Sequence, residues 1–165
     1  MTWAEPCPSC GAHLAGRAGC QAVFDGLSAT AWTSVRRAAV HNLVVDTYAM
    51  QHPDDYCRSP KSYAAHLAGL CCGVEHPDDR SLYWAIPRWL DGPAALEKPA
   101  LLARRGELTI ADVVDPPNDD AYVARVRRWA RDVWTAHTVQ QPLARRWLNA
   151  ASRYARRATI TRGRP

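Results

Sequence analysis

The sequence predicts a mainly α fold: a single-domain helical bundle preceded by an irregular, Cys-rich knuckle. Three observations predict it. Apolar residues recur at steps of three and four over segments long enough for helices, and little of the chain reads as strand. Helix-starting chemistry stands ahead of several segments, as with Ser59 before Pro60. Residues 1–27 carry no such period and instead hold Cys7-Pro8-Ser9-Cys10-Gly11 and a third cysteine, Cys20.

In chain order, residues 1–27 come first as the knuckle. Two cysteines separated by two residues aim both sulfurs at one point, and Pro8 and Gly11 supply the bend. Ser28 or Thr30 then caps a helix running to about Gln51, where Pro53 pushes the residue before it out of helical geometry. Trp32, Val35, Val40, Leu43, Val44 and Tyr48 make that helix apolar on nearly every side, which predicts a buried central position. Ser59 and Pro60 open the next helix, with Tyr63, His66, Leu67 and Leu70 on one face and Gly73 as its terminator. Residues 75–118 are richer in Pro and Gly and predict only short elements. One covers 81–86, and one starts at Thr109 with Asp112 placed for a capping box. Asp119 or Asp120 opens an amphipathic helix with Tyr122, Val126, Trp129, Val133 and His137 in line, and Pro142 starts a last helix with Leu143, Trp147, Ala151 and Tyr154 inward. Helical body (28–158) and basic tail (159–165) complete the domain. The repeat of His52-Pro53-Asp54-Asp55 as His76-Pro77-Asp78-Asp79 is ordinary capping chemistry and indicates no duplication.

Composition bounds the function classes. With 165 residues, 47% of them apolar, and seven tryptophans, the chain predicts a packed, aromatic-rich core. No apolar run approaches the roughly 18 residues of a membrane span, and the N-terminus lacks the basic and apolar segments of a signal peptide. A soluble, cytoplasmic protein with no membrane partner is expected. Six cysteines in that setting predict reduced thiols or metal ligands rather than disulfides. Charge is asymmetric: residues 121–165 carry eleven arginines and one acid, Asp132, a net +10 against −5 for residues 1–120. Such a face suits a solvated helix exterior or contact with nucleic acid.

Three groups of residues can carry chemistry. Cys7, Cys10 and Cys20, with a fourth ligand from His13, His41, Cys57 or the Cys71-Cys72 pair, predict a closed structural zinc site, a zinc knuckle. The other reading is reduced thiols or a redox pair, although a redox Cys-x-x-Cys belongs to a βαβ setting that this chain does not display. His41, His66 and His137 each stand on an apolar helix face, and facing helices build core metal sites from such rings, so a second transition metal or a small molecule is expected there. His41 and His52 lie roughly 16 Å apart along one helix and cannot share one ion. The inward set is therefore His52, His66 and His137 with Asp46. Finally, Asp46, Tyr48, Gln51 and His52 crowd the end of an apolar helix, where Asp46 or Tyr48 would handle protons in an enzyme, or the group would tie down the helix end.

Cys7-Pro8-x-Cys10-Gly11-Ala12, Cys20, Asp46-x-Tyr48-x-x-Gln51-His52-Pro53, and Lys61-Ser62 with His66-Leu67-Ala68-Gly69-Leu70 together resemble a family of small bacterial proteins known as a domain of unknown function. The resemblance covers mainly residues 5–75, extends more loosely to Trp129, Trp134 and His137, and implies that the cysteines and the polar helix end belong to one shared site. The sequence thus predicts a metal-binding protein with structural zinc and a core metal or small-molecule site that a metal-dependent enzyme acting on a small molecule would use. Its rivals are a zinc-stabilised regulatory or nucleic-acid-binding module gripping phosphate with Arg125, Arg127, Arg128 and Arg131, and a partner-binding subunit anchored by Trp3 or Trp89.

Overall fold

A computed structural model describes residues 5–162, with side chains to Ala158. Trp3 and tail residues 163–165 lie outside the described residues. Seven helices follow one another: α1 (Gly16–Thr30), α2 (Val35–Gln51), the single turn α3 (Pro53–Tyr56), α4 (Pro60–Glu75), α5 (Arg80–Leu90), α6 (Asp119–Ala136) and α7 (Gln141–Arg162). Among the described residues there is no strand, only a bridge between Pro6 and His13. As its apolar character predicts, α2 is central, packed between α4 and α6, while α7 covers α4 and α5. Val44, Tyr48, Leu67, Leu70, Val126 and Trp129 belong to one continuous buried cluster.

Helix starts follow local chemistry. Ser59 caps α4 in a reciprocal capping box with Ser62, and Thr109 does the same with Asp112 at a short 3₁₀ turn, Ile110–Asp112. On α6 the predicted row is inward, with Tyr122, Val126, Trp129, Val133 and His137 all buried, but Asn118, rather than an aspartate, accepts from the Ala121 amide as N-cap.

Four boundaries differ from expectation. The knuckle is not irregular to residue 27, because α1 begins at Gly16, reached through left-handed backbone at Ala15 (φ 59°) and Gly16 (φ 71°). Ser28 and Thr30 therefore close α1, and the cap of α2 is Ser34, whose hydroxyl accepts from the Arg36 and Arg37 amides. Gly73 does not end α4: a Cβ there would meet Leu43 Cδ1 at 2.7 Å, so the glycine lets α2 approach, and the helix runs on to Glu75. On α7, Tyr154 is exposed instead of inward, whereas Trp89 of α5 is buried and offers no anchor to a partner.

Between α5 and α6 the chain is held by buried amides. Gln51 donates to the Leu108 and Arg105 carbonyls at 2.8 and 3.2 Å and accepts from the Trp129 indole at 3.0 Å. Gln140 donates to the Ala100 carbonyl at 2.9 Å and accepts from the Tyr63 hydroxyl at 2.5 Å. The loop's backbone polar groups thus find partners without a sheet.

The arginine-rich face is partly spent on structure. Arg145 pairs with Glu75 at 2.6 Å and Arg125 donates to the Val114 carbonyl at 2.6 Å, while from α2 Arg37 pairs with Asp119 at 2.7 Å and lies over the Tyr122 ring, and Arg36 pairs with Asp120. Among the described residues no helix is long and apolar enough to cross a membrane.

Candidate metal centre

The knuckle closes on itself first. Cys7 N–H donates to the Ala12 carbonyl and Gly11 N–H to the Cys7 carbonyl, both at 2.8 Å, and Gly11 takes the positive φ (80°) that the turn demands. Gly16 N–H then returns to the Glu5 carbonyl at 2.6 Å, aiming α1 so that Cys20, on its second turn, faces the pair. Arg17 bonds Ser9 at 3.1 Å and pairs with Asp55 of α3, fastening the knuckle to the α2–α3 corner.

At that corner stands His52. Cys7, Cys10, Cys20 and His52 bring one ligand atom each to within 4.8 Å of one another. Cys7 Sγ and Cys20 Sγ lie 3.5 and 3.4 Å from His52 Nε2, and Cys10 Sγ lies 3.7 Å from Cys20 Sγ. A tetrahedral ion bound at about 2.3 Å to sulfur and about 2.0 Å to nitrogen requires S···S near 3.8 Å and S···N near 3.5 Å. These four residues lie close enough to hold a metal ion, and the Cys7–His52, Cys20–His52 and Cys10–Cys20 spacings match that requirement. Cys7, Cys20 and His52 are buried and Cys10 is partly so.

His52 is oriented from behind. Its Nδ1 lies 2.8 Å from the Tyr48 carbonyl, so that nitrogen carries the proton and Nε2 presents its lone pair to the sulfurs. The ring stacks on Tyr48 (centroids 3.9 Å apart), which stacks in turn on Phe24 of α1 (4.1 Å). Tyr48, expected to move protons, is the middle of this column, and burial pushes its phenol well above the usual range. The Cys10–Cys20 contact acts first and burial second to push the Cys10 thiol up to about 12, while the same contact lowers Cys20.

The fourth member of the group is therefore none of the candidates named beside the cysteines, but it does come from the polar helix end that the resemblance joined to them. His13 is exposed beside its bridge to Pro6. Cys57, Cys71 and Cys72 are buried elsewhere, bonded to the Ala49 carbonyl, Glu75 and the Asp79 carbonyl, and burial pushes each thiol up to about 12. His41 lies edge-on to Trp32.

Nor do the inward histidines gather with His52. His66 Nδ1 bonds Asp46 Oδ1 at 2.8 Å, and His137 Nδ1 bonds the Val133 carbonyl at 2.8 Å, with burial lowering the His137 pKa. Among the described residues no second group of three or more metal-capable side chains lies within reach of one ion. Helical spacing tells which face carries a ring but not its height along the bundle, and His66 meets Asp46, not His52.

Asp46 anchors a separate polar centre. Its second oxygen accepts from the Tyr83 hydroxyl at 3.2 Å, and it lies against Gly69, where a Cβ would stand 2.1 Å from Oδ2. Burial raises its pKa, and the bond from His66 works in the opposite direction. Sequence reasoning did not foresee Tyr83, which reaches Asp46 from α5.

Residues 5–138 match the model of a family of unknown function (DUF5946), a span that holds all four clustered ligands and Asp46. No curated protein and no solved structure matches the chain.

Proposed function

We propose that the chain, which belongs to that family of unknown function, is a zinc protein whose Cys7, Cys10, Cys20 and His52 centre is structural. The single observation that carries this reading is the closed donor set: three thiols and one tautomer-fixed imidazole within 4.8 Å of one another, four donors that fill a tetrahedral ion's coordination and leave no position for a substrate. Three thiolates favour Zn²⁺ over hard cations. The ion fastens the knuckle and α1 to the end of α2, closing long loops that an unfolded chain would have to hold open.

A second reading, that the helical body acts on a small molecule, is favoured by the Asp46 and His66 pair. A buried carboxylate fixes Nδ1 of a ring that is 21% exposed, leaving Nε2 to solvent as a base. One elemental analysis separates the two centres. One zinc per chain is expected in the wild type and in His66→Ala, and none in Cys7→Ser/Cys10→Ser. Loss of zinc from His66→Ala, or retention in the double cysteine variant, would overturn the assignment.

A further inference from the structure

On the side of α2 remote from the cysteines, a cleft of about 290 Å³ opens between α2, α4 and α5, next to a lobe of about 230 Å³ that extends toward α6. Both are lined by Leu43, Gly73, Pro77, Asp78 and Arg127, so they form one continuous depression. Small-molecule sites occupy roughly 300–1,000 Å³. This one suits a compact ligand rather than a large cofactor.

Its walls divide by chemistry. Tyr83 and Trp84 of α5 and Ala38, Ala39 and Leu43 of α2 supply its apolar lining, and Trp84 is 54% exposed, a large aromatic surface left open beside a concavity. The polar edge carries Asp78 and Arg127, with Arg131 one turn beyond on α6 in the smaller lobe. Asp79 is already committed, since its carboxylate accepts from the Leu82 amide and the Ser81 hydroxyl as the cap of α5. By contrast, the side chains of Asp78, Arg127 and Arg131 make no ion pair or hydrogen bond with any described residue. Opposite charges thus face one depression without meeting each other, which is the arrangement a ligand carrying both charges completes.

We infer that this cleft binds a small aromatic zwitterion of the free amino-acid class, with its carboxylate on Arg127 and Arg131, its ammonium on Asp78 and its ring against Trp84. A carboxylate held by two arginines gives orientation, and the apolar wall gives the area that a compact ligand needs. The inference is independent of the metal centre, which lies at the other end of α2.

Titration calorimetry on the protein as isolated tests it, using L-tryptophan, its N-acetyl derivative (carboxylate only) and tryptamine (ammonium only). L-Tryptophan is expected to bind, and each single-charge analogue to bind at least about tenfold more weakly. Arg127→Gln should weaken L-tryptophan and N-acetyltryptophan but leave tryptamine unchanged, and Asp78→Asn should do the converse. Both residues are exposed, so the variants keep the fold, which circular dichroism verifies. No binding of any of the three ligands up to about 10 mM would overturn the inference, and so would equal binding of all three or affinities indifferent to both substitutions.

Discussion

His52→Ala is expected to release the metal and to destabilise the protein by at least about 3 kcal/mol, because a structural ion's binding energy is folding energy. The loss should be local before it is global. Hydrogen exchange should quicken first across the knuckle and α1, which are tied to the body through Cys20, His52 and the Phe24, Tyr48 and His52 stack. Removing the ring also removes that stack, so His52→Phe is the decisive companion. It keeps an aromatic surface for Tyr48 but offers no donor, and it should lose the metal as completely as His52→Ala. Wild-type stability of the phenylalanine variant in the presence of a chelator, measured by urea denaturation, would show that the ring only packs.

Gly69→Ala is the second large expected effect. A single methyl would stand 2.1 Å from Asp46 Oδ2 and must drive the carboxylate off its bonds to His66 and Tyr83. Displacing a buried, hydrogen-bonded carboxyl costs about 3–5 kcal/mol. Because the cost arises from one contact, the double variant Gly69→Ala/Asp46→Ala should be much less destabilised than the sum of the single changes. Strict additivity in thermal unfolding would mean that the glycine serves some purpose other than making room for Asp46.

What the sequence disclosed and what it hid divide along contact range. Ser59 and Pro60 at the start of α4, Thr109 with Asp112, and the α6 row from Tyr122 to His137 are local patterns, and each is readable from spacing alone. The start of α1 was hidden because Ala15 and Gly16 carry no capping side chain and the turn rests on left-handed backbone. The three cysteines were legible as a ligand set, yet spacing did not name their partner, which only the family resemblance joined to them through the polar helix end. His52 is separated by 32 residues from Cys20, and its role depends on how the α2–α3 corner swings over the knuckle. A local signal did exist: a histidine directly before proline at a helix end, with its ring turned back onto the i−4 carbonyl of Tyr48, is a ligand already oriented. The polar helix end likewise read as one group, but the structure gives its members separate tasks. Asp46 faces His66 and Tyr83, Tyr48 backs His52, and Gln51 pins the 105–108 segment.

X-ray absorption at the zinc edge on untagged protein tests the central claim most directly. The account predicts one zinc per chain with three sulfur neighbours at about 2.3 Å and one nitrogen neighbour at about 2.0 Å, and no bound zinc in His52→Phe. A shell of oxygen and nitrogen alone, a fourth sulfur in place of the nitrogen, or protein that folds normally with no bound zinc would contradict it.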